Sequence, residues 1–307
     1  MSDRIRDTDP NKIHLVTIRT QQAALLLRPG KGLEEMLGGI VARYQEQFKT
    51  EVYAYNFLGN HYHILARGSE HFLWKFAQGV NREIARRVNY LRYREGKFWG
   101  RKYDDQIVVE VQDATEAFLY ITTNPTHHGL VSHPIEWPGF NSYWQSLTEK
   151  SKKYAFTHYT EYSKALRKAR RRKEVVRVED YQTIHTLSLT PLPEFKELTS
   201  RQRINKLKAL IEERVKRITA DRKNQGQEAF LGRDAVLQQD PFEKPLKSKR
   251  SPRPLCYTKS FTAKLIFMEE YFSTLANYKE ASIRFRSGQL DTEFPPHTIK
   301  PPLLYLL

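Results

Sequence analysis

NFLGNHYHILAR, residues 56–67, is an apolar run broken by one glycine and marked by two histidines with a tyrosine between them. It continues from EVYAYNF (residues 51–57), and the link Leu58-Gly59-Asn60 is short and polar. Two β-rich runs joined that closely read as antiparallel neighbours. Successive side chains of a strand point to opposite faces, so His61 and His63 fall on one face and Tyr62 on the other. Two imidazoles side by side can hold one metal ion. With 10 histidines in 307 residues, a chance pairing is the plainer alternative.

Outward from this hairpin the pattern alternates strand and helix. HLVTIRT (14–20) alternates and is rich in β-branched residues, as a first strand would be. After the break at Pro29-Gly30, Leu33, Met36, Leu37, Ile40, Val41 and Tyr44 recur at helical spacing over residues 33–48. A second helix is predicted over 71–93, with Phe72, Phe76, Val80, Ile84 and Val88 as its apolar stripe. IVVEV (107–111) reads as the next strand, and Asp113 with Glu116 has the spacing of a capping box opening a helix that carries Phe118 to Ile121. The order β-α-β-β-α predicts an α+β fold, a ferredoxin-like antiparallel sheet of four or five strands with helices on one face.

Residues 1–150 form one expected domain; beyond Trp144 the character changes. KALRKARRRK (164–173) has seven basic residues in ten, and Thr199 with Gln202 caps a long amphipathic helix, so 151–230 reads as a basic helical segment. Residues 231–307 read as an extension with a proline-rich stretch at 241–254 and a helix over 261–278 that is a candidate partner for the helix opened by Thr199.

The bulk numbers narrow the function. Fifty-one basic residues against thirty-five acidic ones give a formal charge of +16, which attracts polyanions, nucleic acid foremost. Basic and aromatic residues interleave in RVNYLRYREGKFWGRKY (87–103), a mixture suited to single strands, whose bases stack on rings while phosphates meet arginines. One cysteine, Cys256, excludes an intrachain disulfide and multi-thiolate zinc sites, as suits a reducing cytoplasm. No apolar run is long enough to span a bilayer and no signal core opens the chain, so no membrane partner is expected.

Downstream, FLYITTNPTHHGLV (118–131) sets Tyr120 and Asn124 one helical turn apart, with Pro125 placing Asn124 at the helix end. Taken together, His61-Tyr62-His63, Phe98-Trp99-Gly100-Arg101-Lys102-Tyr103, Tyr120-Ile121, Asn124-Pro125 and Gly129-Leu130-Val131 resemble, in order and distance, the IS200-like Y1 (HUH) single-strand transposases. Among these the chain is most similar to the REP-associated tyrosine transposases, over about residues 12–146. Gly59 departs from the family's usual proline. The resemblance implies that residues 1–150 are the catalytic domain, that His61, His63 and Asn124 hold Mg2+ or Mn2+, and that Tyr120 is the nucleophile forming a 5′-phosphotyrosine. Arg82, Arg86, Arg87, Arg101 and Lys102 are candidates for DNA backbone contacts, and Trp99 and Tyr103 for stacking. The implied substrate is single-stranded or hairpin DNA, handled at the nucleoid. The alternative is a domesticated binder of structured DNA or RNA that keeps the fold and does not cut. The C-terminal half could hold the hairpin, join two protomers into a homodimer, or recruit a host factor.

Overall fold

In the computed structural model, which describes residues 4–69, 73–245 and 254–302, β1 (Ile13–Arg19) leads through α1 (Leu33–Phe48) to β2 (Glu51–Phe57) and β3 (His61–Arg67). Then come α2 (Leu73–Leu91), β4 (Asp104–Val108), α3 (Val111–His127), α4 (Tyr143–Thr148), β5 (Lys152–Thr157) and α5 (Tyr159–Arg172). They are followed by β6 (Gln182–Leu187), α6 (Ser200–Asn224), α7 (Arg233–Gln238), β7 (Cys256–Tyr257) and α8 (Phe261–Arg286). The main sheet has the order β2-β3-β1-β4-β7. It is mixed, because β7 runs parallel to β4 while the other pairs are antiparallel.

Alternation along β3 decides what each face carries. Tyr62 and Ile64, with Val16 and Ile18 of β1, pack under α1 and α2 against Leu37, Ile40, Phe76 and Val80. Leu65 and Leu15 leave the other face and meet Phe118 and Leu119 of α3. Helices therefore cover both faces, where the sequence placed them on one. The physical reason is that Ile13, Leu15, Ala54 and Leu65 make the second face apolar too, and such a face must be covered.

Two boundaries near the site differ from the sequence reading. β4 starts three residues early, at Asp104, because Glu110 is the N-cap of α3 and Asp113 reaches back to the Glu110 amide at 3.1 Å. The capping box is thus Glu110 with Asp113, one turn before the expected pair. α3 also runs through Pro125 to His127, so Asn124 lies inside the helix and not at its end. Proline has no N–H to give the carbonyl four residues back, which is that of Ile121. The Asn56 side-chain amide donates to that carbonyl at 2.8 Å and fills the gap.

The core continues past residue 150. Tyr154, Phe156 and Leu187 of the antiparallel β5–β6 pair, whose strands are joined through α5, join the cluster beneath α1. A Cβ on Gly39 would stand 2.2 Å from the Ala155 carbonyl oxygen, so α1 approaches the β5 backbone this closely only with glycine at that position. α6, capped by Thr199 and Gln202, buries Leu207, Ile211 and Val215 against the α3 side. The basic run lies on α5. The segment 261–278 falls within α8, whose buried Phe267 packs with Ile107 and Cys256 at the β4–β7 edge and not with α6. His71 and Phe72, read as helical, and residues 246–253 of the proline-rich stretch lie outside the described residues. Among the described residues, no helix is long and apolar enough to cross a membrane.

Candidate active site

β3 pairs with β1 so that His61 stands opposite Arg19 and His63 opposite Thr17. This register supplies each imidazole with a neighbour. Thr17 Oγ1 and His63 Nδ1 share a hydrogen bond of 2.7 Å, and His61 Nδ1 lies 2.6 Å from Asn60 Oδ1. An amide oxygen only accepts, so His61 carries its proton on Nδ1 and keeps a lone pair on Nε2. The two rings meet edge to face with centroids 4.9 Å apart. From α3, the Tyr120 ring reaches to 5.2 Å from His63. Asn124 follows one turn later on the same helix face and is fully buried. The structure thus brings His61, His63 and Tyr120 together from two elements about sixty residues apart, with Asn124 one turn beyond Tyr120 on α3.

Three buried polar atoms in this wall have no hydrogen-bond partner: His63 Nε2, Asn124 Oδ1 and Asn124 Nδ2. Buried polar groups are rarely left so, and an imidazole nitrogen and an amide oxygen are donor types that suit a divalent cation. The residues present therefore fit the ion that the resemblance implies. Among the described residues no group of three or more His, Cys, Asp or Glu forms a metal cluster, so an ion here would draw on two imidazoles and the Asn124 amide.

Burial and neighbouring charge keep both imidazoles neutral. Burial pushes His63 down to about 3, with the nearby His128 adding to the effect. Burial, then His63, His128 and Arg19, hold His61 well below the ordinary histidine range. Both rings are neutral at pH 7, the form that binds metal. Burial raises the Tyr120 phenol, while the Asn124 amide works against that rise. The pair nonetheless makes no hydrogen bond of ordinary geometry, since both polar atoms of Asn124 stay unpartnered.

Sequence reasoning missed several neighbours. Thr17 and Asn60 orient the histidines, and Arg19 is exposed at the end of β1 beside His61. His128, at the C-cap of α3, stands 6.1 Å from His61. The available signal was the alternation of Thr17 and Arg19 in the first strand, which becomes informative only once its register with His61 and His63 is known.

The proposed DNA contacts are placed elsewhere. Trp99 donates to the Asn81 carbonyl at 2.9 Å and packs against Tyr62, on the sheet face opposite the histidines. Trp99, Arg101, Lys102 and Tyr103 line a cavity of about 650 Å³ there. Arg101 is 2.6 Å from Asp104, and the Arg6 guanidinium lies 3.6 Å over the Tyr103 ring, so neither Arg101 nor Tyr103 is unoccupied. Arg82 and Arg86 are exposed on α2, also on that side. Arg87 is a correction: it is buried, paired with Glu83 at 3.1 Å and donating to the Thr157 carbonyl at 2.7 Å. It ties α2 to β5 and is withdrawn from any phosphate.

No family model matches the chain, and no curated protein matches it. Two solved structures are similar to part of it. One, a REP-associated tyrosine transposase bound to a REP hairpin, is 15% identical with a TM-score of 0.38, over 47% of this chain and 81% of that one. The other, described as a candidate transposase from Deinococcus radiodurans R1, is 19% identical with a TM-score of 0.28, over 34% of this chain and 85% of that one.

Proposed function

We propose that this protein is a metal-dependent tyrosine nuclease and strand transferase of the HUH or Y1 type, acting on single-stranded DNA at hairpin or repeat ends. The observation that carries the reading is the meeting of the Tyr120 phenol with two neutral imidazoles and an unpartnered buried amide. Mg2+ or Mn2+, held by His61, His63 and Asn124, would polarise a phosphoryl oxygen and offset the charge that develops there. Tyr120 is the nucleophile. Its phenolic oxygen forms a bond to phosphorus as the bond to the 3′ oxygen breaks; the phenol gives up a proton and the departing 3′ oxygen takes one up. The 5′-phosphotyrosine keeps the energy of the broken ester, so reversal by another 3′ hydroxyl rejoins strands without ATP. Arg19, exposed beside His61, is placed to meet a neighbouring phosphate. In this reading residues 1–150 are the catalytic unit, and 151–230 and 231–307 are a basic helical segment and an extension built onto it.

The test is a labelled hairpin oligonucleotide incubated with Mn2+ and resolved under denaturing conditions. A covalent protein–DNA band is expected with the native chain and none with Tyr120→Phe. An adduct that persists in Tyr120→Phe would overturn the choice of nucleophile. Tight hairpin binding with no adduct across many sequences would assign the protein instead to the non-cutting binders.

A further inference from the structure

α2 and α5 wall a groove of about 590 Å³, with Phe156 of β5 and Tyr44 of α1 among its lining. It lies on the α1–α2 side of the sheet, away from the His61 and Tyr120 face. Its charge is one-sided. Arg43, Arg82, Arg86, Arg87 and Arg167 line it against two carboxylates, Glu83 and Glu161. Glu83 is already committed to Arg87 at 3.1 Å and Arg86 at 3.3 Å. Arg82 and Arg86 still expose 65% and 57% of their side chains. The rims carry exposed ring surface: Tyr90 is 80% exposed, and Tyr159, with the Arg87 guanidinium 4.7 Å over one side of its ring, is 38% exposed.

α5 shows why these groups face a partner and not a core. Its only buried residue is Ala169, and Tyr159, Tyr162 and Leu166 precede it at spacings of three and four, on one face. That stripe lines the groove, yet no apolar wall of α2 closes over it, because the α2 residues that share the lining are Arg82, Glu83, Arg86, Arg87, Tyr90 and Leu91, of which only Leu91 is aliphatic; Arg86 also donates to the Thr160 hydroxyl of α5 at 3.2 Å. The exposed Arg170, Arg171 and Arg172 extend the positive field beyond the groove's end. Cations that suit phosphates, alternating with exposed ring surface that suits bases, are the two halves of a single-strand platform. A duplex would offer the phosphates but keep its base faces stacked.

We infer that this groove is a second nucleic-acid site, which takes a single strand of DNA with Arg82 and Arg86 on its phosphates and Tyr90 and Tyr159 stacked on its bases. It needs neither the metal nor Tyr120, and so stands or falls separately from the cleavage reading.

The experiment uses the full chain, a 5′-fluorescent 20-mer of thymidine and EDTA throughout, with anisotropy read over a series of salt concentrations. The native protein should bind, and Arg82→Ala with Arg86→Ala should weaken it at least about tenfold and lower the salt slope by about 1.4, from about 0.7 per lost phosphate contact on single strands. Tyr90→Ala should weaken binding by about fivefold or more while leaving the salt slope unchanged, because stacking releases no counterions. All three side chains are exposed, so unfolding midpoints should match the native protein. No binding by the native chain, unaltered binding by the variants, or equal affinity for a duplex of the same length would overturn the inference. Tighter binding of a uridine 20-mer RNA would overturn the assignment to DNA. Because metal is absent, these outcomes are independent of whether an adduct ever forms.

Discussion

Replacing Thr17 with valine removes one hydroxyl and little else, and the structure makes that hydroxyl decisive for His63. Thr17 Oγ1 holds His63 Nδ1 at 2.7 Å, which leaves Nε2 as the nitrogen open to a ligand. Without the hydroxyl, a buried ring nitrogen loses its partner at a cost of about 1 to 3 kcal/mol. The ring can recover part of that cost only by turning, and turning takes Nε2 off its aim. Loss of such an orienting contact typically weakens metal binding about 10- to 100-fold, or about 1.4 to 2.8 kcal/mol, the same size as the hydrogen-bond penalty. Calorimetric titration of Mn2+ at pH 7.5 should therefore show Thr17→Val weaker than the native chain by at least about tenfold, with Thr17→Ser recovering most of the loss. An affinity for Thr17→Val within twofold of native, in a protein with an unchanged unfolding midpoint, would refute the claim that this bond orients a ligand.

Two further predictions concern stability. His63 is buried with its pKa lowered to about 3, so the unfolded chain binds a proton through pH 6.5 that the folded chain refuses until far lower. The sign is that stability falls as pH drops below about 6.5, by about 2 kcal/mol from this group between pH 7.5 and 5.0. His14, His61 and His128, all lowered mainly by burial, add in the same direction, while the raised Asp105 opposes them. Urea unfolding in EDTA at the two pH values checks this, and equal stability at both would contradict it. Asn56→Ala should cost about 1 to 3 kcal/mol by stranding the Ile121 carbonyl, and Pro125→Ala should restore part of that loss in the same chain by returning an N–H to the helix ladder. A double variant no more stable than Asn56→Ala alone would rule out that account.

What was legible in the sequence was what period and local chemistry determine. α1 and β2 fall on the residues read from spacing alone, because their apolar faces are packed by neighbours of the same pattern. The shared face of His61 and His63 followed from alternation in one strand. β4 and the start of α3 were misplaced because IVVEV looks like a strand throughout, and only the Glu110 cap, with Asp113 returning to it, shows where the chain turns. Arg87 illustrates the limit for function. Helical spacing puts it three residues after Ile84, on the apolar stripe that Arg86 misses, but the partner that fixes its role there, the Thr157 carbonyl, is seventy residues away in sequence.

Pro125 makes the same point for the site itself. From the sequence it should end the helix before Asn124 does anything in it, since a proline strips one hydrogen bond from the ladder. The helix survives because Asn56, sixty-five residues upstream, supplies the missing donor to Ile121. That donor sits on β2, the strand leading into the histidine hairpin, so the contact that keeps α3 helical through Asn124 also ties α3 to the strands bearing the imidazoles. A helix ended at residue 124 would leave the Asn124 amide at a frayed terminus. Carried through the proline, the amide is held rigidly inside the wall with its polar atoms unspent, which is the condition a ligand at that position requires.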